Sequence, residues 1–294
     1  MSDAVAGTLP PTARGPARHE AVTITPRNIR FMKTLPEAAT WLGGDVVATA
    51  VFNALSLTFP DGERMFMDAV RHYKPMVSGE LLAESNAFIA QEAIHTREHV
   101  SLNKMMDGGH YPLEKIRAHI LKNIDIAAQL GPMTQLAATI SLEHFTALLG
   151  NFILGDKTGL LAGAPAELRD MWQWHALEET EHKAVAFDVF NVATADMKSW
   201  RRYLIRVQAM LFTTVEFTSH LTLYASMLLQ ADGMSRGRAT AKVLWFMFGK
   251  PGFFRNGLRG YWAWYKPSFH PWDHDNRAML ETWRQVYPVP PAAA

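Results

Sequence analysis

The sequence predicts an all-α protein, and three observations carry that prediction. Alternating β-branched runs bounded by Asn-Gly or Asp-Gly turns are nearly absent from the 294 residues. Apolar residues recur instead at helical spacing in segment after segment. Glycine and proline punctuate those segments, at Pro60-Asp61-Gly62, Pro75, Gly108-Gly109, Gly131-Pro132, Gly163 to Pro165 and Asp232-Gly233. No repeat with a period of about 20 to 50 residues is present, which sets solenoids aside.

Taken in order, the punctuation delimits eight helices. The first, 43–57, stops at Pro60-Asp61-Gly62, and the second, 61–74, opens with Glu63 and stops before Pro75. The third, 79–106, carries AESNAFIAQEAIHTREHVSLNKMM and ends before Gly108-Gly109, and the fourth, 113–130, ends at Gly131-Pro132. The fifth, 133–154, is almost wholly apolar apart from Glu143 and His144. The sixth, 165–195, follows Pro165 and contains WHALEETEHKAVAFDVF, Trp174 to Phe190. The seventh, 197–230, reads as a long helix buried on most sides; its apolar stretch Tyr203–Gln230 could span a bilayer by length but carries Arg206, Gln208, Glu216 and His220. Its alternative use is to face a membrane or a second copy of the chain, and a homodimer is expected. The eighth, 236–248, precedes a segment where aromatics alternate with glycine, proline and basic residues. Three regions follow: a mobile tail over 1–24, a helical domain over 25–248, and an irregular aromatic-rich cap over 249–294 that could also meet a membrane surface.

Composition narrows the chemistry. Lys+Arg 29 against Asp+Glu 28 leaves no broad basic field, so nucleic acid is not an expected partner. With no cysteine, disulfides, thiolate zinc sites, iron–sulfur clusters and a cysteine nucleophile are excluded, and any metal must be held by His and carboxylates. The first residues lack an apolar run, so a cytoplasmic location is expected, with membrane association as the alternative.

Two segments concentrate such ligands. At 100° per residue, His175, Glu179 and His182 fall within an arc of about 60° on one helix and can point at one spot; Glu178 lies to one side, and Glu181 faces away and reads as solvated. Glu92 and His95 repeat the Glu-x-x-His spacing, with His99 on the same face as a core or supporting histidine. Chance gives about 0.6 such pairs in this composition, so their surroundings matter more than their count. Glu63 precedes the first pair and Glu143 the second. Glu63 also reads as a first-turn glutamate favoured by the helix dipole, but Glu143 interrupts an apolar helix, where an unpaired carboxylate is costly. The two paired sets also read as a face laced with salt bridges. Asp125 and Glu216 are further lone acids that could support a ligand histidine, and HPWDHD, His270 to Asp275, reads as a structural turn.

The order Glu63, Glu92-x-x-His95, Glu143, Glu179-x-x-His182 resembles the ferritin-like di-iron carboxylate proteins over about residues 60–195. His175-x-x-x-Glu179-x-x-His182 is similar to p-aminobenzoate N-oxygenase-type enzymes, in which a third histidine joins the ligands. LSLTFPDGERMF, QEAIHTREH and FGKPGFFR with FHPWDHD also resemble a bacterial family of predicted metal-dependent hydrolases. The first resemblance implies a ferritin-like four-helix bundle core with additional C-terminal helices. It also implies two iron ions (manganese or zinc being alternatives), Glu92 and Glu179 bridging, Glu63 and Glu143 terminal, and His95, His182 and His175 completing the set. The expected function is a non-haem di-iron oxygenase taking dioxygen, an electron donor and a small apolar or aromatic substrate. The alternatives are a metal-dependent hydrolase using a metal-bound hydroxide, or a membrane-associated protein with a structural metal site.

Overall fold

In chain order the helices are α1 (Val46–Tyr73), α2 (Gly79–Asn103), α3 (Leu113–Gln129), α4 (Pro132–Leu154), α5 (Ala166–His182), α6 (Val185–Ala193), α7 (Ser199–Ala231), α8 (Arg236–Leu244), α9 (Phe253–Ala263) and α10 (Arg277–Val286). The structure is a computed structural model that describes residues 22–32, 37–155 and 159–289. The described residues contain no strand. The tail expected over 1–24 lies outside them up to residue 21; from residue 22 the chain runs to residue 32 without regular secondary structure, and Arg27 and Phe31 are buried.

The core is a four-helix bundle. α1 packs on α2 and α4 on α5, the two pairs meet along α1–α4 and α2–α5, and α6 resumes the course of α5 after a turn at Lys183-Ala184. α7 lies across α1 and α4, α3 packs on the same two helices, and α8, α9 and α10 cover α7, α4 and α5 respectively. The α4–α5 approach is close enough to require glycine: a Cβ on Gly150 would stand 2.9 Å from the Ala176 carbonyl oxygen. Buried apolar residues form two clusters, one including Phe59, Trp172 and Trp174, the other Phe66, Phe88 and Ile140. The acidic and imidazole side chains of the core lie between these clusters.

Four expectations are corrected. The two helices expected over 43–57 and 61–74 are one, α1, which runs unbroken through Pro60. Proline has no N–H for the Ser56 carbonyl four residues back. Asn103 of α2 supplies the missing donor, its Nδ2 reaching Ser56 O at 3.0 Å, so tertiary contact outweighs the local breaker. The helix expected over 165–195 is divided into α5 and α6. The segment past 248 is largely helical through α9 and α10, its aromatic residues giving each helix one apolar side. Finally, α7 buries one stripe, Met210, Leu221, Tyr224, Ala225 and Leu228 among it, while Phe212 is 66% exposed and Val215 62%. Among the described residues no other helix covers these two side chains. Among the described residues one helix, α4, is long and apolar enough to cross a membrane, and 67% of its apolar window is buried in the bundle.

Candidate metal centre

Glu63 comes from α1, Glu92 and His95 from α2, Glu143 from α4, and His175, Glu179 and His182 from α5. The structure brings all seven together, each at most 5% exposed. Their donor atoms form two groups, Glu63 with His95 and His175, and Glu92 with Glu143, Glu179 and His182; within each group the atoms lie within 4.8 Å of one another. Glu179 reaches both groups: its Oε1 is 2.8 Å from His175 Nε2 and 3.6 Å from His95 Nδ1, and its Oε2 is 3.5 Å from His182 Nε2. Glu92 Oε1 is likewise 3.1 Å from His182 Nε2 and 3.8 Å from His95 Nδ1.

Whether this set suits a cation is decided by what the side chains lack. Among the described residues, eight buried atoms without a hydrogen-bond partner belong to it: Glu63 Oε1, both oxygens of Glu92 and of Glu143, Glu179 Oε2, His95 Nδ1 and His182 Nε2. Orphaned buried acceptors each cost about 1–3 kcal/mol. So many, facing inward, fit one or more cations held by oxygen and nitrogen.

The surrounding bonds fix which nitrogen each ring offers. Gln91 donates its Nε2 N–H to Glu181 Oε2 at 3.1 Å, so its Oε1 accepts from His182 Nδ1 at 3.0 Å and leaves His182 Nε2 facing the carboxylates. Glu178 Oε2 accepts from His95 Nε2 at 3.0 Å, leaving Nδ1 inward. For His175 the chain is longer. Asn103 has committed Nδ2 to a carbonyl, so its Oδ1 accepts the Ser56 hydroxyl at 2.7 Å; Ser56 Oγ then accepts from His99 Nδ1 at 2.9 Å. Burial first, and the neighbouring His175 and His95 second, hold His99 well below the usual histidine range. Its bare Nε2 therefore accepts from His175 Nδ1 at 2.7 Å, and His175 presents Nε2 to Glu63 and Glu179.

Electrostatics agree with a missing positive charge. Burial pushes Glu143 up to about 8 and also raises Glu63 and Glu92, with neighbouring carboxylates adding to the latter two. Burial opposes the charge on Glu179 as well, but the charge of His182, the hydrogen bond from His175 and the nearness of the His95 ring outweigh it and hold Glu179 well below the carboxylate range. Burial also works against charging His95, yet its hydrogen bond to Glu178 and the adjacent Glu179 and Glu92 carboxylates lift it to about 10, whereas burial lowers His175 to about 4. A cation among them would favour the ionised form of the raised carboxyls.

A pH dependence follows. A carboxyl whose folded pKa is raised contributes stability that is complete below its unfolded value near about 4.3 and is lost as pH rises through the folded value. For Glu143 that loss runs up to about pH 8. His95 acts in the same sense but loses its contribution only through about pH 10. Metal displaces these protons. The rise in Tm on adding a divalent metal to metal-free protein is expected to grow from about pH 6 to pH 8, measured by calorimetry across that range.

Several residues that hold the site were not recognised in the sequence. Glu181, expected to be solvated, is 2% exposed and bound by Arg27, with Nη1 and Nη2 at 2.9 and 2.8 Å, and by Arg284 Nε at 2.7 Å. Helical angle alone misplaced it, because the opposite face of α5 is covered by the irregular segment around Arg27 and by α10. Glu178 carries a partner of its own, the Arg27 backbone N–H at 2.9 Å. Asp125 is exposed and Glu216 pairs with His220 at 3.4 Å, so neither supports a ligand histidine. His99, by contrast, does touch His175. Replacing it with leucine is expected to weaken metal binding about 10- to 100-fold, read by competition with a chelating dye, with the helical circular dichroism unchanged.

No curated protein and no solved structure matches the chain. A family model described as "predicted metal-dependent hydrolase" matches residues 25–275, which include every residue of the centre. The chain thus belongs to the predicted metal-dependent hydrolase family.

Proposed function

We propose that the chain is a hydrolase of small organic substrates that works with two metal ions in the adjacent groups of the bundle core. The observation that carries this reading is the set of inward-facing orphaned carboxylate and imidazole atoms contributed by four helices. Glu63, His95 and His175 would hold one ion and Glu92, Glu143, Glu179 and His182 the other, with Glu179 and Glu92 also in reach of the first group. Bound there, the ions supply Lewis acidity and activate water for attack on a carbonyl or phosphoryl group.

The protein's own groups orient and exclude. Glu178, Gln91 and His99 hold the three imidazoles in the tautomers that face inward. A cavity of about 10 Å³, roughly one water molecule in size, reaches His175 and Glu179 between Phe59, Leu149, Ile153 and Trp172. It has room for a water molecule beside the centre, and a substrate body requires its apolar walls to move apart.

A second reading is oxygen activation by two iron ions, requiring dioxygen and an electron donor. It is favoured by the carboxylate-rich oxygen and nitrogen donor set, which suits iron or manganese. One design separates the two. Protein purified anaerobically is assayed for metal by plasma emission, then turned over on an ester and phosphoester panel with oxygen-18 in either water or dioxygen. About two metal equivalents and label from water alone support hydrolysis. Label from dioxygen overturns it in favour of the second reading, and less than a trace of metal sinks both.

A further inference from the structure

The uncovered face of α7 adjoins two other exposed apolar pieces. Trp200, Leu211 and Phe212 are 59%, 52% and 66% exposed on α7; Trp245 and Phe248, in the turn after α8, are 65% and 48% exposed; Trp262 on α9 is 64% exposed. Side-chain contacts join the three. Thr214 Oγ1 lies 3.1 Å from Tyr261 OH, Thr222 Oγ1 lies 3.7 Å from Met247 Sδ, and Phe248 stacks on Phe254 at 5.1 Å. Arg206 locks α9 to α7: buried near the Tyr203, Trp264 and Phe269 rings, it donates to the Lys266 carbonyl at 2.7 Å. The patch is thus a built surface rather than a set of stray side chains.

Charge says what covers it. Residues 199–266 hold ten Lys or Arg and two Asp or Glu, in a chain whose formal charge is only +1. Both acids are engaged elsewhere, Glu216 with His220 and Asp232 with His110. Arg201, Lys242, Lys250, Arg255, Arg259 and Lys266 are all exposed. A second copy docked on this face by two-fold symmetry would set cations against cations. Tryptophan and phenylalanine interleaved with lysine and arginine match instead the boundary between headgroup and acyl chain of a bilayer carrying anionic lipid.

We propose that the face formed by α7, the turn after α8, and α9 docks the protein on the surface of an anionic lipid membrane, with Trp245, Phe248 and Trp262 entering the interface and the flanking cations contacting headgroups. This stands apart from the metal chemistry and holds whichever reaction the centre performs. The docking is peripheral, since α4, the described helix long and apolar enough to span a bilayer, is mostly enclosed in the bundle.

The test is co-sedimentation of the full chain with vesicles of phosphatidylcholine alone or with about 30% phosphatidylglycerol. The expected result is binding to the anionic vesicles at least about tenfold tighter than to neutral ones, weakened by raised salt. The double variant Trp245→Ser, Trp262→Ser is expected to lose at least about tenfold, and Lys250→Glu with Arg259→Glu to lose a similar factor together with the salt dependence. Leu130→Ser, 68% exposed at the end of α3, serves as the control off the patch and should bind as the parent does. Helical circular dichroism and metal content confirm that the variants fold. Absence of binding to any vesicle overturns the proposal, as does equal loss in the control. Sedimentation showing a dimer that the tryptophan variant dissociates, without vesicle binding, assigns the face to self-association and overturns it equally.

Discussion

Replacing Glu179 with alanine is expected to strip the centre of its metal and lower turnover at least about 10³-fold, the several kcal/mol that a metal ion contributes to such chemistry. The size of the effect comes from position. Glu179 is the carboxylate whose two oxygens face the two groups separately, Oε1 toward His175 and His95 and Oε2 toward His182. Its loss also leaves three imidazoles facing one another; His95 and His175 already have ring centroids 4.2 Å apart. Metal analysis should fall from about two equivalents to less than one, and turnover should fall with it. Glu63→Ala removes a ligand from one group alone and should retain the metal of the other. Full metal retention in the Glu179 variant would show that the two groups are independent and that the bridging assignment is wrong.

Arg27→Leu carries the largest expected loss of stability, about 3–5 kcal/mol, because removing one member of a buried ion pair leaves the other charged and unpaired. Arg27 is 2% exposed and joins Glu178 and Glu181 at once, with its Nε on the Tyr287 carbonyl at 2.8 Å. Arg284, partly exposed, remains on Glu181, so Glu178 loses more of its compensation. Glu178 is also the partner of His95. The variant should therefore lower the denaturation midpoint by roughly 6–15 °C and weaken metal binding about 10- to 100-fold. Scanning calorimetry of metal-free and metal-loaded protein separates the two, since a purely structural role shifts both curves equally.

The helical class was legible because eleven-residue and longer windows keep their period, and the seven acidic and imidazole residues were legible because Glu-x-x-His spacing survives on any straight helix. What failed had its cause across the chain. Pro60 reads as a breaker until Asn103 donates to the carbonyl it leaves open. Glu181 reads as solvated until Arg27, 154 residues away, is seen beside it. The exposed side of α7 reads as core because apolar content alone does not tell a buried helix from one bearing an uncovered patch. Helical spacing reports which residues share a face and is silent on what comes to meet that face.

The clamp around Glu178 and Glu181 closes a circuit between distant parts of the polypeptide: Arg27 near the start, Arg284 and the Tyr287 carbonyl near the end, and α5 between them. Both ends of the described chain are thereby tied to one helix, so that removing residues 277–289 would take Arg284 from Glu181 and the Tyr287 carbonyl from Arg27 in a single cut.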